Sequence, residues 1–221
     1  MRQIPLAIGP APVATFDGFT VGANAAAVAH LRAFAGSAYL WGCSGAGKTH
    51  LLGAVAQAAH DLGARVGWFG AASAPPWTFD PTWAALVFDD CERFDDAQQH
   101  AAFALHVEAQ GHAMPVIAAG SVPPIDLPLR DDLRTRLAWG TVFAIQPLAE
   151  ADARAALRRE ADRRGIFLSD EVMDYLLTRF SRDLKHLMAL LDRLDEFALA
   201  ERRAVTVPLL RKMFEEEGNA L

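Results

Sequence analysis

The chain has 221 residues, 52% of them hydrophobic and 22% charged, which is ordinary for a soluble globular protein with one large domain or a medium domain and a small appendage. Its formal net charge of −6 argues against a broad basic surface for nucleic acid, although a local basic patch is compatible with it. Two cysteines do not make a disulfide framework, and the chain shows neither a signal peptide nor an apolar run that could span a membrane, so we expect a cytoplasmic protein without a membrane partner.

Residues 1–14 contain three prolines and no helical periodicity, which predicts an extended tail. Within it, Gln3, Leu6 and Ile8 place one amide and two aliphatic side chains at short spacing. Such a set can dock in a hydrophobic groove of a partner protein. A plain unstructured terminus is the alternative interpretation.

The segment from Thr15 to Gly22 places two aromatic residues around an Asp-Gly turn. An Ala-rich helix is predicted over residues 24–34, with Asn24 as its N-cap. Residues 37–41 predict a strand that leads into a glycine-rich loop. The apolar residues after that loop predict a helix over 49–62, closed by Gly63.

The glycine-rich loop has the pattern G-x-x-x-x-G-K-S/T of a nucleotide phosphate loop. Glycines permit a tight turn whose N–H groups face phosphate oxygens, and the following helix directs the positive end of its dipole to the same place. The pattern predicts that Lys48 contacts the β- and γ-phosphates and that Thr49 is a Mg²⁺ ligand. A Gly-rich turn with an incidental lysine is the alternative. Nucleotide contacts are predicted for eight residues, Gly42, Ser44, Gly45, Ala46, Gly47, Lys48, Thr49 and His50.

Further apolar runs predict strands over residues 65–69, 84–88, 115–119 and 141–145. A helix predicted from Asp95 or Asp96 to about residue 110, and a short charged helix within 123–139, separate the later strands. Strands that alternate with helices predict a parallel sheet with both faces covered.

Asp89 and Asp90 directly follow the uncharged strand predicted over residues 84–88, which is the arrangement of a Walker B element. We predict that Asp89 orients the Mg²⁺ shell. Asp90 holds the place where many hydrolytic ATPases carry a Glu that polarises the attacking water. An acidic turn after a core strand is the alternative. Ser121, after the fourth predicted strand, can hydrogen-bond a γ-phosphate or the attacking water, or act as an ordinary turn residue.

Three arginines, Arg130, Arg134 and Arg136, lie in the segment LRDDLRTRLAWG. A guanidinium group matches the oxygens of a transferring phosphoryl group with two parallel N–H donors. An arginine finger supplied by another subunit can raise hydrolysis by about 10³–10⁵-fold. The spacing fits equally an exposed helix with Asp–Arg pairs, and it leaves the choice between Arg134 and Arg136 open.

From Leu148 onward the pattern becomes entirely helical, with helices predicted over 150–164, 169–180, 184–197 and 206–217. We expect three parts: an extended tail over 1–14, a nucleotide-binding α/β domain over 15–147 and a helical lid domain over 148–221. Lys185 in the lid either brings a cation to the nucleotide or occupies a solvated helix position.

Six segments resemble, in order, the motifs of the AAA+ module of the bacterial replication initiator DnaA: TFDGFTVG, GCSGAGKTHLL, VFDD, TRLAWG, LKHLMALLDRL and VTVPLLRKMF. The resemblance implies an α/β AAA+ phosphate-loop domain with a five-stranded parallel sheet and a small C-terminal helical lid domain. It also implies that Val21 and Gly22 contact the adenine and that Ser121 is the sensor-1 residue. Lys185 falls at the sensor-2 position, and Arg136 falls at the position of the trans arginine finger.

Two features resemble the regulatory inactivators within this family. The chain ends after the lid, without the helix-turn-helix domain of DnaA, so no direct sequence-specific DNA binding is expected. Gln3-x-x-Leu6-x-Ile8 is similar to motifs that dock on the DNA polymerase sliding clamp, although Ala7-Ile8 replaces the usual L-P-L ending.

The resemblance implies ADP or ATP with Mg²⁺ as cofactors, and DnaA and the sliding clamp as partners, with self-association. It implies an activator of the ATPase of DnaA that has weak or no ATPase of its own. The alternatives are an ATP-hydrolysing helicase loader, for which the tail is too short to form a helical extension, and an adaptor with a vestigial site. The intact Gly47-Lys48-Thr49 argues against the adaptor.

Overall fold

The computed structural model describes residues 13–179, 184–201 and 203–218. The chain forms two compact units, of which one ends at Pro147 and the other begins at Leu148. In the described part of the chain, no helix is both long enough and apolar enough to cross a membrane.

The first unit contains a sheet of five strands, β1 (Ala38–Trp41), β2 (Arg65–Gly70), β3 (Trp83–Asp89), β4 (Val116–Gly120) and β5 (Thr141–Ala144). The strands lie in the order β2-β3-β4-β1-β5, and every neighbouring pair is parallel. The predicted five-stranded parallel sheet is therefore confirmed. Each strand lies within one or two residues of its predicted position.

The helix α1 (Ala25–Arg32) precedes β1, and three helices connect strands of the sheet, α2 (Lys48–Asp61), α3 (Asp96–Gly111) and α4 (Asp131–Leu137). Single 3₁₀ turns lie at Cys91–Arg93 and Pro124–Asp126. On one face of the sheet, α1 and α2 cover a buried cluster that includes Leu31, Leu40, Val55, Val87 and Ile117. On the other face, α3 and α4 cover a buried cluster that includes Tyr39, Leu86, Phe88, Leu105 and Leu133. Because successive side chains of a strand point to opposite faces, a sheet covered twice requires the near-continuous apolar runs seen in its strands.

The register of the central strands brings three strand ends to one edge of the sheet. Trp41 of β1 lies opposite Gly120 of β4, and Phe88 of β3 lies opposite Ala118 of β4. The loop after β1, the acidic pair after β3 and the residue after β4 therefore begin side by side. In open parallel sheets, ligands bind outside this carboxyl edge, where neighbouring crossovers diverge.

Asn24 occupies the predicted N-cap position before α1, but its side chain does not cap the helix. Its backbone has φ −95° and ψ 20°, which is not the extended geometry of a capping residue, and its side chain caps nothing. The amide instead donates to the Gln146 carbonyl oxygen at 3.0 Å and accepts from the Gln146 N–H at 2.8 Å. The backbone N–H and carbonyl groups of Gln146, just past β5, therefore both pair with this side chain.

The start of α3 behaves as its sequence predicts. Asp95 accepts from the Gln98 N–H at 2.8 Å, while the Gln98 side chain accepts from the Asp95 N–H at 3.0 Å. This reciprocal capping box satisfies two donors that the first turn of a helix leaves unpaired.

The second unit contains the helices α5 (Glu150–Arg163), α6 (Asp170–Arg179), α7 (Leu184–Glu201) and α8 (Val207–Gly218). Their inward positions form one buried cluster that includes Leu157, Met173, Leu187, Leu194 and Met213. Gly165 follows α5 with φ +72°, a conformation that favours glycine and ends the helix as predicted.

Candidate functional site

The phosphate loop holds its shape because two glycines lie where no side chain fits. Gly47 is the residue before α2 and has φ +96°, and a Cβ at this position would lie 2.7 Å from Cε2 of Phe19. A Cβ on Gly42 would lie 2.4 Å from the carbonyl oxygen of Ile145. The loop backbone is thus packed between the aromatic segment before α1 and the chain leaving β5.

Lys48 is the first residue of α2 and is only 8% exposed. Its Nζ donates to the carbonyl oxygen of Gly42 at 2.7 Å and to that of Cys43 at 3.0 Å. A buried ammonium group needs such partners, because an unpaired charge away from water is strongly unfavourable. The ammonium group therefore lies against the phosphate loop, as the position of Lys48 in the motif predicts.

Thr49 and Asp89 meet at the carboxyl edge of the sheet. The Thr49 hydroxyl donates to the Asp89 carboxylate, and the Asp90 N–H donates to Asp89 Oδ1 at 3.0 Å. Burial raises the pKa of the Asp89 carboxyl, because desolvation outweighs these hydrogen bonds and the charge of Lys48. Because its pKa is raised, the Asp89 carboxyl contributes less to the free energy of unfolding as pH rises through that pKa and the group becomes charged. A bound cation would offset the unfavourable free energy of this buried negative charge.

These two side chains have the chemistry to hold Mg²⁺. Carboxylate and hydroxyl oxygens are suitable ligands, and Mg²⁺ usually takes only one or two from the protein and the rest from phosphates and water. The described residues contain no cluster of three or more His, Cys, Asp or Glu side chains that forms a metal site. The arrangement therefore fits a cation shared with a bound nucleotide, and the metal assignments of Thr49 and Asp89 stay predictions.

Asp90 differs from its neighbour in environment. Its backbone is left-handed, with φ 52° and ψ 46°, and its side chain is 43% exposed. Arg93 Nη1 lies 3.6 Å from Asp90 Oδ2. The role predicted for Asp90 with the attacking water stays a prediction.

Ser121 directly follows β4, so it lies at the same sheet edge as the loop and the acidic pair. The backbone before it is tightly enclosed, since a Cβ on Gly120 would lie 2.1 Å from the Tyr39 hydroxyl oxygen and 3.2 Å from Glu92 Oε2. The sensor-1 role implied for Ser121 is compatible with this position.

The segment before α1 is fastened to the loop and to the first turn of α2. The His50 Nε2 atom lies 2.8 Å from the Thr15 carbonyl oxygen, and the rings of Phe19 and His50 are 5.6 Å apart. Val21 and Gly22 follow this anchored stretch and are exposed, and Gly22 has φ +49°. The segment thus leaves backbone accessible beside the loop, as an adenine contact would require.

Two residues of the site escaped sequence analysis. Phe19 packs on Gly47, and Glu92 has a buried Oε2 with no hydrogen-bond partner among the described residues. Neither belongs to a spacing pattern, and a contact between an aromatic ring and a glycine far along the chain leaves no local signal. Glu92 follows the acidic pair by two residues, which is the only hint that the sequence offers.

The three arginines after β4 have different partners. Arg130 donates to Asp132 at 2.7 Å, and Arg134 donates to Asp131 at 2.6 Å. Arg136 donates from Nη1 to the Gln110 Oε1 atom at 2.9 Å and has no carboxylate partner among the described residues.

Arg136 also lies over two aromatic rings. Its guanidinium carbon is 4.7 Å from the ring centre of Phe103 and 4.9 Å from that of Trp139. Both distances are within the range of cation–π attraction. Arg136 is thus held by neutral groups, whereas Arg130 and Arg134 are neutralised by acids, and this difference favours Arg136 for binding a new anion.

Several predicted residues cannot be placed. Gln3, Leu6 and Ile8 lie outside the described residues. Lys185 belongs to α7, but its side chain is outside the described part of the structure. The roles assigned to these four residues stay predictions.

Comparison with known proteins finds similarities that include both units. Residues 150–214 match the family model described as Hda, lid domain. Domain III of the replication initiation protein DnaA from Thermotoga maritima is 17% identical and has a TM-score of 0.77, covering 94% of this chain and 98% of that one. AMPPCP-bound DnaA from Aquifex aeolicus is 20% identical with a TM-score of 0.70, covering 84% of this chain and 66% of that one.

A more distant similarity is to the Thermotoga maritima RuvB Holliday junction branch migration motor, at 15% identity and a TM-score of 0.64. The match covers 86% of this chain and 66% of that one. These similarities confirm the predicted fold class. The fold is that of an AAA+ protein similar to DnaA, and the C-terminal helices are similar to the Hda lid domain over residues 150–214.

Proposed function

We propose that this protein, which has a DnaA-like AAA+ fold and an Hda-type lid, is a nucleotide-binding regulator of replication initiation. It docks on the DNA polymerase sliding clamp and stimulates hydrolysis of the ATP bound to DnaA, which prevents re-initiation. Arg136 acts in trans as the arginine finger. The lid match and the DnaA-like fold support the replication context.

The nucleotide site of the chain itself would hold ADP or ATP through the phosphate loop. Lys48 lies against that loop, and Thr49 and Asp89 supply adjacent oxygen atoms for Mg²⁺. The AMPPCP-bound DnaA from Aquifex aeolicus, whose fold is similar, supports an adenine nucleotide.

The observation that carries the proposal is the set of partners around Arg136. A finger must donate to a phosphoryl group as negative charge develops on its oxygens, so a guanidinium already neutralised by a carboxylate would have to break that pair first. Arg136 gives up only an amide hydrogen bond, from Nη1 to Gln110 Oε1 at 2.9 Å. We also propose that the chain self-associates.

The proposal is tested by measuring hydrolysis of DnaA-bound ATP with and without this protein, with the sliding clamp loaded on DNA. We expect stimulation of about 10³-fold at saturation, the lower end of arginine-finger effects. The stimulation should require the clamp at low protein concentration. Hydrolysis that is unchanged by the protein would contradict the proposed function.

A second prediction concerns clamp docking. The double substitution Gln3→Ala with Leu6→Ala removes the amide and one aliphatic anchor, and we expect it to abolish capture of the protein by immobilised clamp. Val13→Ala, which truncates an exposed aliphatic residue beyond the motif, is the matched control and should bind like the unaltered chain. Equal capture of the double variant and the control would remove the clamp from the proposal.

A further inference from the structure

The surface around Arg136 is an open groove of about 410 Å³ on the outer side of α3 and α4. We call it the finger groove, and it is lined by Phe103, Asp131, Asp132, Thr135, Arg136 and Trp139. Both acids already pair with neighbouring arginines, Asp131 with Arg134 and Asp132 with Arg130. The cation in the groove without an acidic partner among the described residues is therefore Arg136.

Two rings from separate segments hold this cation. Phe103 belongs to α3, and Trp139 lies just beyond the end of α4. Trp139 is 57% exposed, which is unusual for so large an apolar side chain, and its contact with Arg136 gives that exposure a physical reason. From the protein interior, the buried His106 ring meets the Trp139 ring edge-on at 6.2 Å.

We propose that Phe103 and Trp139 are positioning residues for Arg136, and this inference rests on the proposed function. Cation–π contact engages the charge of the guanidinium through the ring faces and does not consume its N–H donors. Among the described residues only one such donation by the side chain is seen, from Nη1 to Gln110. The rings therefore restrict the rotamers of a long side chain while its remaining donors can still reach phosphate oxygens.

Restriction before binding has a kinetic consequence. A free arginine loses much of its rotamer freedom when it becomes ordered, and that loss would be added to the barrier of each hydrolysis event. A stacked Arg136 has already lost it on folding. The benefit appears in the maximal stimulated rate, because the ordered finger acts in the transition state, and not in the affinity of the complex.

The opposite function of the stack would be a latch that keeps Arg136 away from the partner. The two functions predict opposite changes in the maximal stimulated rate when a ring is removed. Loss of a positioning ring lowers the maximal rate, whereas loss of a latch raises it. The structure favours positioning, because Arg136 lies in an open groove and is only partly buried.

The test measures hydrolysis of DnaA-bound ATP against concentration of the full-length chain, for Trp139→Leu, Phe103→Leu and the conservative Trp139→Phe. Trp68→Leu on β2, another exposed tryptophan, is the matched control. We expect the two leucine variants at positions 139 and 103 to lower the maximal rate about tenfold, with half-saturation changed less than about twofold. Trp139→Phe should recover most of the rate, and the control should retain it.

The stack itself is observed independently through the NMR resonance of the Arg136 Nε–H group. Ring currents should shift this resonance in the unaltered chain, and Trp139→Leu should remove most of the shift. Thermal unfolding of each variant identifies any that fail to fold, in which case Phe103→Leu and Trp139→Phe carry the comparison.

Each outcome decides the inference. Unchanged or increased maximal rates overturn it, as does an effect confined to half-saturation, which would make the rings part of a docking surface. Failure of Trp139→Phe to recover the rate also overturns it. If the unaltered chain gives no stimulation, the proposed function fails together with this role, and that failure is recognised before any variant is compared.

Discussion

Arg136→Ala is expected to remove essentially all of the stimulation, a loss of about 10³-fold in the stimulated rate of ATP hydrolysis by DnaA. The substitution deletes the one guanidinium in α4 that is held by two aromatic rings and an amide oxygen and not by an acid. Its effect on folding should be small, because an exposed cation–π contact contributes only about 0.5–1 kcal/mol. Single-turnover hydrolysis of DnaA-bound ATP, with clamp and DNA present, measures the change.

Arg134→Ala is the matched control, because it lies two residues away on the same helix and is paired with Asp131 at 2.6 Å. We expect it to retain stimulation to within about threefold, since an exposed ion pair of this kind contributes about 1 kcal/mol or less. Arg136→Lys should recover little, because an ammonium group keeps the charge but loses the planar fork of donors. Retained stimulation in Arg136→Ala, with loss in Arg134→Ala, would show that the finger had been assigned to the wrong residue.

Lys48→Ala is expected to weaken binding of ATP and ADP to this chain by at least about 10²-fold. Two charge-assisted hydrogen bonds to phosphate, at about 1.5–3 kcal/mol each, account for a loss of this size. In the structure Nζ donates to the carbonyl oxygens of Gly42 and Cys43, so the ammonium group lies at the loop. Titration with a fluorescent ADP or ATP analogue, with and without Mg²⁺, measures the affinity.

The control for this substitution is Lys212→Ala. Lys212 lies on α8, pairs with Glu201 at 2.5 Å and is 42% exposed. Its substitution removes an equal charge from a different unit of the protein. Its nucleotide affinity should match that of the unaltered chain. Thermal unfolding separates lost affinity from lost folding for Lys48→Ala. A folded Lys48→Ala protein that binds nucleotide normally would leave the phosphate-loop assignment without support.

The positions of the strands and the phosphate loop were accessible from sequence because local features determine them. Apolar runs long enough to bury both faces of a sheet predicted all five strands. The spacing from Gly42 to Thr49 predicted a loop that passes directly into a helix, as α2 does. A helix start at Asp95 or Asp96 was predicted for the same reason, and the structure places the N-cap at Asp95.

The contacts of the Asn24 side chain could not be predicted from neighbouring residues. Nothing near it in sequence indicates that its amide would pair with Gln146, 122 residues away, in preference to capping α1. A polar side chain takes whichever unpaired backbone group folding brings to it, and the partner is known only once β5 has joined the sheet.

Sequence patterns alone reveal the phosphate loop, the acidic residues after a buried strand and the run of three arginines, because each is a pattern of neighbours. The tertiary structure shows which of these arginines has no carboxylate partner among the described residues. Arg130 and Arg134 found acids within three residues, whereas Arg136 met Gln110, which is 26 residues away, together with Phe103 on the same helix. Which charge stays without a carboxylate partner depends on how α3 packs against α4, and spacing along one chain cannot encode that.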